Sequence, residues 1–185
     1  MVQIYFIRHG ESEANHNGYI AGWLDSPLTE KGRETAEKVA QQLVADGLVF
    51  DSIYTSTLSR AKETAEIIAK VIGYPLADIR LSEDLRERGF GDLSGRPKSE
   101  FLQLTSADVA AAGGESYKML YDRVLRANQL IAADARAGKH ILIVGHSGFY
   151  RMALVLSHGL TPGRFRDMRD AAPANTTLLP YPLIQ

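Results

Sequence analysis

Three short runs constrain the fold of this chain most: VQIYFI (residues 2 to 7), DSIYT (51 to 55) and HILIV (140 to 144). Each is rich in β-branched and aromatic residues, and none alternates cleanly between apolar and polar. A strand with one face in water alternates. Strands without alternation belong at the centre of a parallel sheet covered on both faces. The stretches between them have helical spacing. Residues 30 to 46 set Ala36, Val39, Ala40, Leu43 and Val44 on one face before Gly47, and 58 to 72 set Ala61, Ala65, Ile68 and Ile72 before Gly73. Residues 115 to 137 carry Met119, Leu120, Val124, Leu130 and Ile131 before Gly138, and 149 to 158 end at Gly159. Strand and helix in alternation predict an α/β fold, a three-layer α/β/α sandwich around a mostly parallel central sheet. A weaker strand is expected over 79 to 82, and an edge strand over 175 to 179, ended by Pro180. Residues 88 to 114, with Gly89, Gly91, Gly95, Pro97, Gly113 and Gly114, break the alternation and predict a small cap insertion. At 185 residues the expectation is a single domain over 1–185 carrying that cap.

Composition narrows the partners. With 45% hydrophobic and 23% charged residues and a formal charge of -1, nothing draws the chain to nucleic acid or to an anionic membrane. The absence of cysteine excludes disulfides, thiolate metal sites and cysteine nucleophiles. Residues 2 to 7 lack a basic flank and a cleavage site and are too short to span a bilayer, so a cytoplasmic protein is expected. Oligomeric state is not legible.

In an open α/β sheet ligands bind beyond the carboxyl ends of the strands. There this sequence sets Arg8-His9-Gly10, then Ser56 and Arg60, then Glu87, then Gly145-His146-Ser147-Gly148. Arg8 and His9 point to opposite faces of a regular strand, and Gly10 is expected to let the chain turn so that both reach one pocket. Two guanidiniums near helix N-termini suit a phosphate dianion. A neutral imidazole among them can attack phosphorus if its other nitrogen donates to a backbone carbonyl, and nearby arginines lower its pKa. Arg8, Arg60 and His146 then neutralise the phosphoryl oxygens and Glu87 protonates the leaving group. Ser147 offers a backbone N–H to the phosphate. No Walker A sequence and no magnesium-type carboxylate cluster is present, so no metal and no cofactor are expected.

These residues carry a resemblance. Arg8-His9-Gly10-Glu11-Ser12 with Asn15, Gly22-Trp23 and Leu28-Thr29-Glu30-Lys31-Gly32 is similar to the opening signature of the histidine phosphatase superfamily, the phosphoglycerate mutase-like proteins. The likeness continues through Tyr54 to Ala61, Leu85-Arg86-Glu87 with Gly91 and Gly95, Gly113-Gly114-Glu115-Ser116, His146 and Asn175. The resemblance implies a phosphohistidine at His9, a phosphate pocket of Arg8, Asn15, Arg60 and His146, and Glu87 as proton donor, without metal. Gly22, Phe90 and Lys98 are the expected substrate contacts, Lys98 matching a substrate-binding position of the mutases.

Phosphatases and mutases share this pattern, and the departures favour hydrolysis; a phosphorylated small molecule is the expected partner, with sugar phosphates, phosphorylated cofactor intermediates and phosphorylated proteins all open as the substrate. Mutases follow the acid with Arg-His-Tyr-Gly where this chain has Arg88-Gly89-Phe90-Gly91, and grip the phosphoglycerate carboxylate with adjacent arginines in the cap. Residues 99 to 114 contain no arginine. The alternatives are a cofactor-dependent phosphoglycerate mutase and a silent phosphate-binding module; the latter needs neither His9 nor Glu87. A serine-hydrolase reading of Gly145-His146-Ser147-Gly148-Phe149 fails at Phe149 and in the order of its partners. Glu83 or Asp84 could replace Glu87 as the acid. His16, His140 and His158 are read as structural or surface residues, Trp23 as loop packing, and the charged run from Arg164 to Asp170 as a solvated turn. Tyr150, Arg151, Phe90, Lys98 and the 96 to 114 cap are the expected sources of selectivity.

Overall fold

Five strands form one sheet: β1 (Ile4–Arg8), β2 (Ser52–Ser56), β3 (Arg80–Ser82), β4 (Ile141–Gly145) and β5 (Leu178–Pro180), in the order β3-β2-β4-β1-β5. The first four run parallel, and β5 pairs antiparallel with β1. The structure is a computed structural model that describes residues 2–101 and 103–183. Residues 1, 102, 184 and 185, parts of the expected 1–185 domain and 88 to 114 cap, lie outside the described residues.

The continuous apolar runs sit as expected at the centre. Every residue of β2 and β4 is buried. Strand residues alternate between two separate cores, each filled by a pair of helices. Phe6, Tyr54, Ile141 and Ile143 pack on α6 (Tyr117–Arg136) and α7 (Ser147–Ser157). Ile7, Ile53, Leu142 and Val144 pack on α2 (Glu30–Ala45) and α3 (Ser59–Ile72). The chain is therefore a three-layer α/β/α sandwich.

Three helix-face residues are not core. Val44, Met119 and Leu130 are about half exposed. The buried stripe of α6 runs through Leu120, Val124, Ala127 and Ile131, and that of α2 through Gly32, Ala36, Ala40 and Leu43. A stripe about 100° wide leaves their immediate neighbours outside it. β5 starts at Leu178 rather than at 175, because Thr176 takes a left-handed φ of 54° that a strand cannot continue through. It includes Pro180, which an edge strand tolerates.

The excursion after residue 88 is clasped at its base. Asp92 N–H donates to Ala112 O (2.8 Å) and Glu115 N–H to Gly89 O (2.8 Å). A Cβ on Gly91 would stand 1.9 Å from Ala112 O, so only glycine fits. Above this clasp lie two short helices, α4 (Lys98–Phe101) and α5 (Ser106–Ala111). Between α2 and β1 a further single helical turn, α1 (Glu13–His16), opens the loop after β1. No helix among the described residues is long and apolar enough to cross a membrane.

One polar knot ties α6 to the sheet. Asp134 accepts hydrogen bonds from Ser52 Oγ (2.6 Å), Tyr54 OH (3.0 Å), Arg80 Nη1 (2.8 Å) and Lys139 Nζ (3.1 Å). Burial opposes its charge, but these donors and the Arg80 cation outweigh it and hold the carboxyl at about 2. Asp134→Asn is expected to lower stability at pH 7 by about 2 kcal/mol in urea unfolding. The difference from wild type should shrink as pH falls below the ordinary aspartate value toward about 2, where the native carboxylate itself protonates.

Candidate active site

The register of β1 against β4 builds the centre of the site. Arg8 lies opposite Gly145, so the next residues, His9 and His146, leave adjacent strands side by side. Their ring centroids are 5.0 Å apart. His9 N–H still donates to Gly145 O (3.0 Å), holding the nucleophile candidate to the sheet. Gly10 does not use the left-handed backbone expected of a turn glycine. It is required by close approach, since a Cβ there would lie 2.5 Å from Gly32 O. A Cβ on Gly32 would in turn meet Glu11 O at 2.1 Å, so the loop after β1 packs flat on the first turn of α2. Glu11 accepts from Thr29 Oγ1 (3.1 Å) and Lys31 Nζ (3.2 Å), which explains two motif segments as one tether.

His9 is buried, and its Nδ1 lies 2.7 Å from Gly10 O. That carbonyl fixes the proton on Nδ1 and leaves Nε2 with the free lone pair. Burial first, then the Arg60 and Arg8 cations, push the His9 pKa well below its ordinary 6.5. The arginines expected to do this are secondary to desolvation. His146 is lowered in the same direction, again by burial first and then by Arg60. Its two ring nitrogens are buried without a hydrogen-bond partner. His146 is fully buried behind Ser147 and Gly148, which line the pocket where His146 itself does not.

Arg8 and Arg60 are held by carbonyls, not by carboxylates. Arg8 Nη1 donates to Pro173 O (2.8 Å). Arg60 Nη2 donates to Gly22 O (2.8 Å) and its Nη1 to Leu24 O (3.3 Å), and burial pushes its pKa down to about 10. Gly22 therefore lines the pocket and also anchors Arg60. Asn15 Oδ1 accepts from Ser12 N–H (3.4 Å) and Asn175 Nδ2 (3.3 Å), which turns the Asn15 amide donor toward the pocket. Asn175 was visible in the sequence without a task. Its Nδ2 also reaches His9 O (2.6 Å) and Gly10 O (3.1 Å), while Thr176 N–H donates to Arg8 O (2.9 Å).

Glu87 arrives from the loop after β3. Its Oε1 accepts Arg88 N–H (2.8 Å) and its Oε2 accepts Gly148 N–H (3.1 Å). A Cβ on Gly148 would stand 2.1 Å from Oε1, so the carboxylate rests on that glycine. The backbone carbonyl of Glu87 accepts Trp23 Nε1 (2.7 Å) and Arg123 Nη2 (3.0 Å). Trp23 is thus half exposed and a strut for the acid loop, not buried packing. Glu83 and Asp84 pair with Arg86 and Arg126 and do not line the pocket. Ser147, Phe90 and Lys98 do line it, with Tyr19, Phe101 and Arg151. Tyr150 does not: it is buried against Phe6 and donates to Pro180 O (3.1 Å). On α7 consecutive residues point 100° apart, so Arg151 takes the pocket side. His16, His140 and His158 lie outside the pocket. Among the described residues no group of three or more His, Cys, Asp or Glu is placed to hold a metal ion.

Comparison with known proteins shows which family the sequence and fold match. The signature described as "Histidine phosphatase superfamily (branch 1)" matches residues 4–182. A 2,3-bisphosphoglycerate-dependent phosphoglycerate mutase from Parvibaculum lavamentivorans is 38% identical over 159 residues, 80% of this chain and 76% of that protein. The solved structure of YhfR from Bacillus stearothermophilus superposes with a TM-score of 0.76 at 31% identity, covering 95% of this chain and 86% of that one. A putative alpha-ribazole-5'-P phosphatase from Escherichia coli gives a TM-score of 0.72 at 25% identity, over 90% and 84% of the two chains.

The buried neutral histidines set a pH limit on the fold. Both are held below 6.5, so the unfolded chain binds protons that the native state refuses, and stability falls as pH drops below 6.5. The expected slope is about 1.4 kcal/mol per pH unit for each histidine. Urea unfolding between pH 7 and 5 measures it, and a His9→Gln, His146→Gln double variant should show a flatter curve.

Proposed function

Because the chain belongs to the histidine phosphatase superfamily, we propose that it transfers phosphoryl groups through a phosphohistidine at His9, with water as the acceptor. The observation that carries the phosphoryl-transfer reading is the state of His9: neutral, with Nδ1–H committed to Gly10 O and Nε2 facing a pocket lined by Arg8 and Arg60. Nε2 attacks phosphorus, forming the N–P bond as the bond to the leaving oxygen breaks. Arg8, Arg60, Asn15 and His146 donate to the phosphoryl oxygens, with the Ser147 N–H at the start of α7 beside them. The proton on Glu87 goes to the leaving oxygen. Water then attacks phosphorus, gives its proton to Glu87 and breaks the N–P bond. The cavity, about 230 Å3, has room for a phosphoryl group and a small leaving group.

Water as acceptor is favoured by the thin cap. Among the described residues of the cap helices only Lys98 and Phe101 line the pocket, too little to keep an intermediate from water. A second reading, phosphoglycerate mutation, is favoured by the name and 38% identity of the Parvibaculum protein and by the retained Lys98.

A panel of phosphomonoesters hydrolysed in chelator, with 3-phosphoglycerate isomerisation measured beside it, separates the two. Hydrolysis is expected to fall by about a thousandfold or more in His9→Ala, and a phosphoryl label should be trapped on His9 after rapid quenching. Isomerisation that outruns hydrolysis and requires bisphosphoglycerate would overturn the choice of water. Unchanged hydrolysis in His9→Ala would overturn the covalent step. Gly148→Ala should displace the Glu87 carboxylate while leaving the fold intact, because the clash falls on a side-chain end. Its rate should drop about 10- to 100-fold with alkyl phosphates and little with p-nitrophenyl phosphate, whose leaving group needs no proton.

A further inference from the structure

Glu87 stands on a segment with no regular structure of its own. Residues 86–90 lie between the single helical turns Glu83–Leu85 and Gly91–Leu93, and they include Gly89. An acid carried on such a segment keeps its place through contacts made by other elements. Two donors from different elements meet on the Glu87 carbonyl: Arg123 Nη2 (3.0 Å) from α6 and Trp23 Nε1 (2.7 Å) from the loop before α2. Arg123 belongs to the interior, buried and paired with Glu115. Trp23 is 45% exposed, and the carbonyl it reaches already has a partner in Arg123. Satisfying a buried polar group therefore does not require the indole there.

The Trp23 ring lies along the acid segment. The Arg86 guanidinium carbon is 5.6 Å from the ring centroid, and a Cβ on Gly89 would come within 3.2 Å of the ring carbon Cε2. One side chain thus touches residues 86, 87 and 89 without itself lining the pocket. The backbone on either side of Trp23 has a separate task. Gly22 O and Leu24 O accept Arg60 Nη2 (2.8 Å) and Nη1 (3.3 Å). Leu24 N–H closes the turn on Ala21 O (2.8 Å), and Asp25 accepts the hydroxyl of Ser59, the residue before Arg60 on α3. Residues 22 to 24 therefore grip the phosphate clamp through their main chain and the acid through the Trp23 side chain.

Transfer of a phosphoryl group requires the phosphate on Arg60 and the proton on Glu87 to stand one P–O bond apart, and a misplacement of about 1 Å costs on the order of 100-fold. We propose that Trp23 is a positioning residue that sets the distance between phosphate clamp and acid: its indole N–H keeps the Glu87 carboxyl in register with a phosphate on Arg60. This rests on the phosphoryl-transfer reading with Glu87 as the acid, and not on water being the acceptor.

Trp23 is the one tryptophan of the chain, so expression with the benzothiophene analogue of tryptophan replaces this single N–H by sulfur and keeps the shape of the ring. Trp23→Phe removes the same N–H with a smaller ring. The measured quantity is kcat/KM, which ends when the leaving group departs and so omits the later attack of water. Both changes are expected to lower it about tenfold for the fastest alkyl phosphate of the panel, and less than about twofold for p-nitrophenyl phosphate, whose leaving group needs no proton. Affinity for inorganic phosphate, titrated calorimetrically, should stay within about twofold, because the carbonyls that orient Arg60 remain. In a Glu87→Gln background Trp23→Phe should cost less than about twofold more, since it acts through the acid alone. Equal losses with both substrates, a loss of phosphate affinity that matches the loss of rate, no loss with either substrate, or full additivity with Glu87→Gln overturns the proposal. If Trp23→Phe fails to fold, the analogue decides, because it preserves the packing. Label trapped on His9 together with equal losses removes the role of Trp23 and leaves the phosphohistidine reading; a leaving-group split with no label on His9 does the reverse.

Discussion

The parallel pairing of β1 with β4 is the constraint on which the site depends. It sets Arg8 against Gly145 and so delivers His9 and His146 together at the open end of the sheet. β4 is buried throughout and β1 at Phe6 and Ile7, in a sheet whose faces are filled by two independent helix pairs, which leaves the strand ends little freedom. The nucleophile candidate therefore inherits the rigidity of the core. Around it the chain packs more closely than a side chain permits, the backbone of Gly10 against that of Gly32 and Gly148 against the Glu87 carboxylate. These glycines are used for their lack of a Cβ rather than for conformational freedom.

Stability and chemistry use charge in opposite ways at the two ends of the sheet, the Asp134 knot at the amino ends of β2 and β3 and the pocket beyond the carboxyl ends. The polar knot at Asp134 pairs a carboxylate with every cation in reach. The pocket does the reverse: Arg60 and Arg88 are buried, held by carbonyls and without an ion pair among the described residues, and two histidines are kept neutral at the expense of their own hydration. The left-handed Thr176 adds a local strain that lets its N–H and the neighbouring Asn175 clasp the backbone of Arg8, His9 and Gly10. An anionic ligand relieves the electrostatic part of this cost, so binding should be coupled to stability more strongly than contact area suggests.

The sheet, its main helices and the residues Arg8, His9, Arg60, Glu87 and His146 were legible in the sequence, because burial on two faces and motif spacing are local signals. What was not legible depends on contacts between distant segments. Trp23 reads as packing until its indole N–H is seen on the Glu87 carbonyl, and Asn175 has no visible task until β5 brings it against His9. Tyr150 and Arg151 are neighbours with opposite fates, decided by the rotation of α7.

The division of labour between sheet and loops bears on how one site can serve different acceptors. His9 is fixed by the strand ladder, whereas Glu87 is fixed by a loop held through the Trp23 indole, the Gly148 N–H and the buried Arg123–Glu115 pair. Arg123 also donates to the carbonyls of Asp84 and Arg86, so one arginine shapes the whole turn that carries the acid. The same Glu115 accepts Gly89 N–H and closes the base of the cap. Acid and cap therefore hang from one ion pair, while the nucleophile does not. On the proposed mechanism, changes in the cap alter which acceptor reaches a phosphohistidine at His9 without disturbing the strand ladder that holds His9, provided the Arg123–Glu115 pair stays intact.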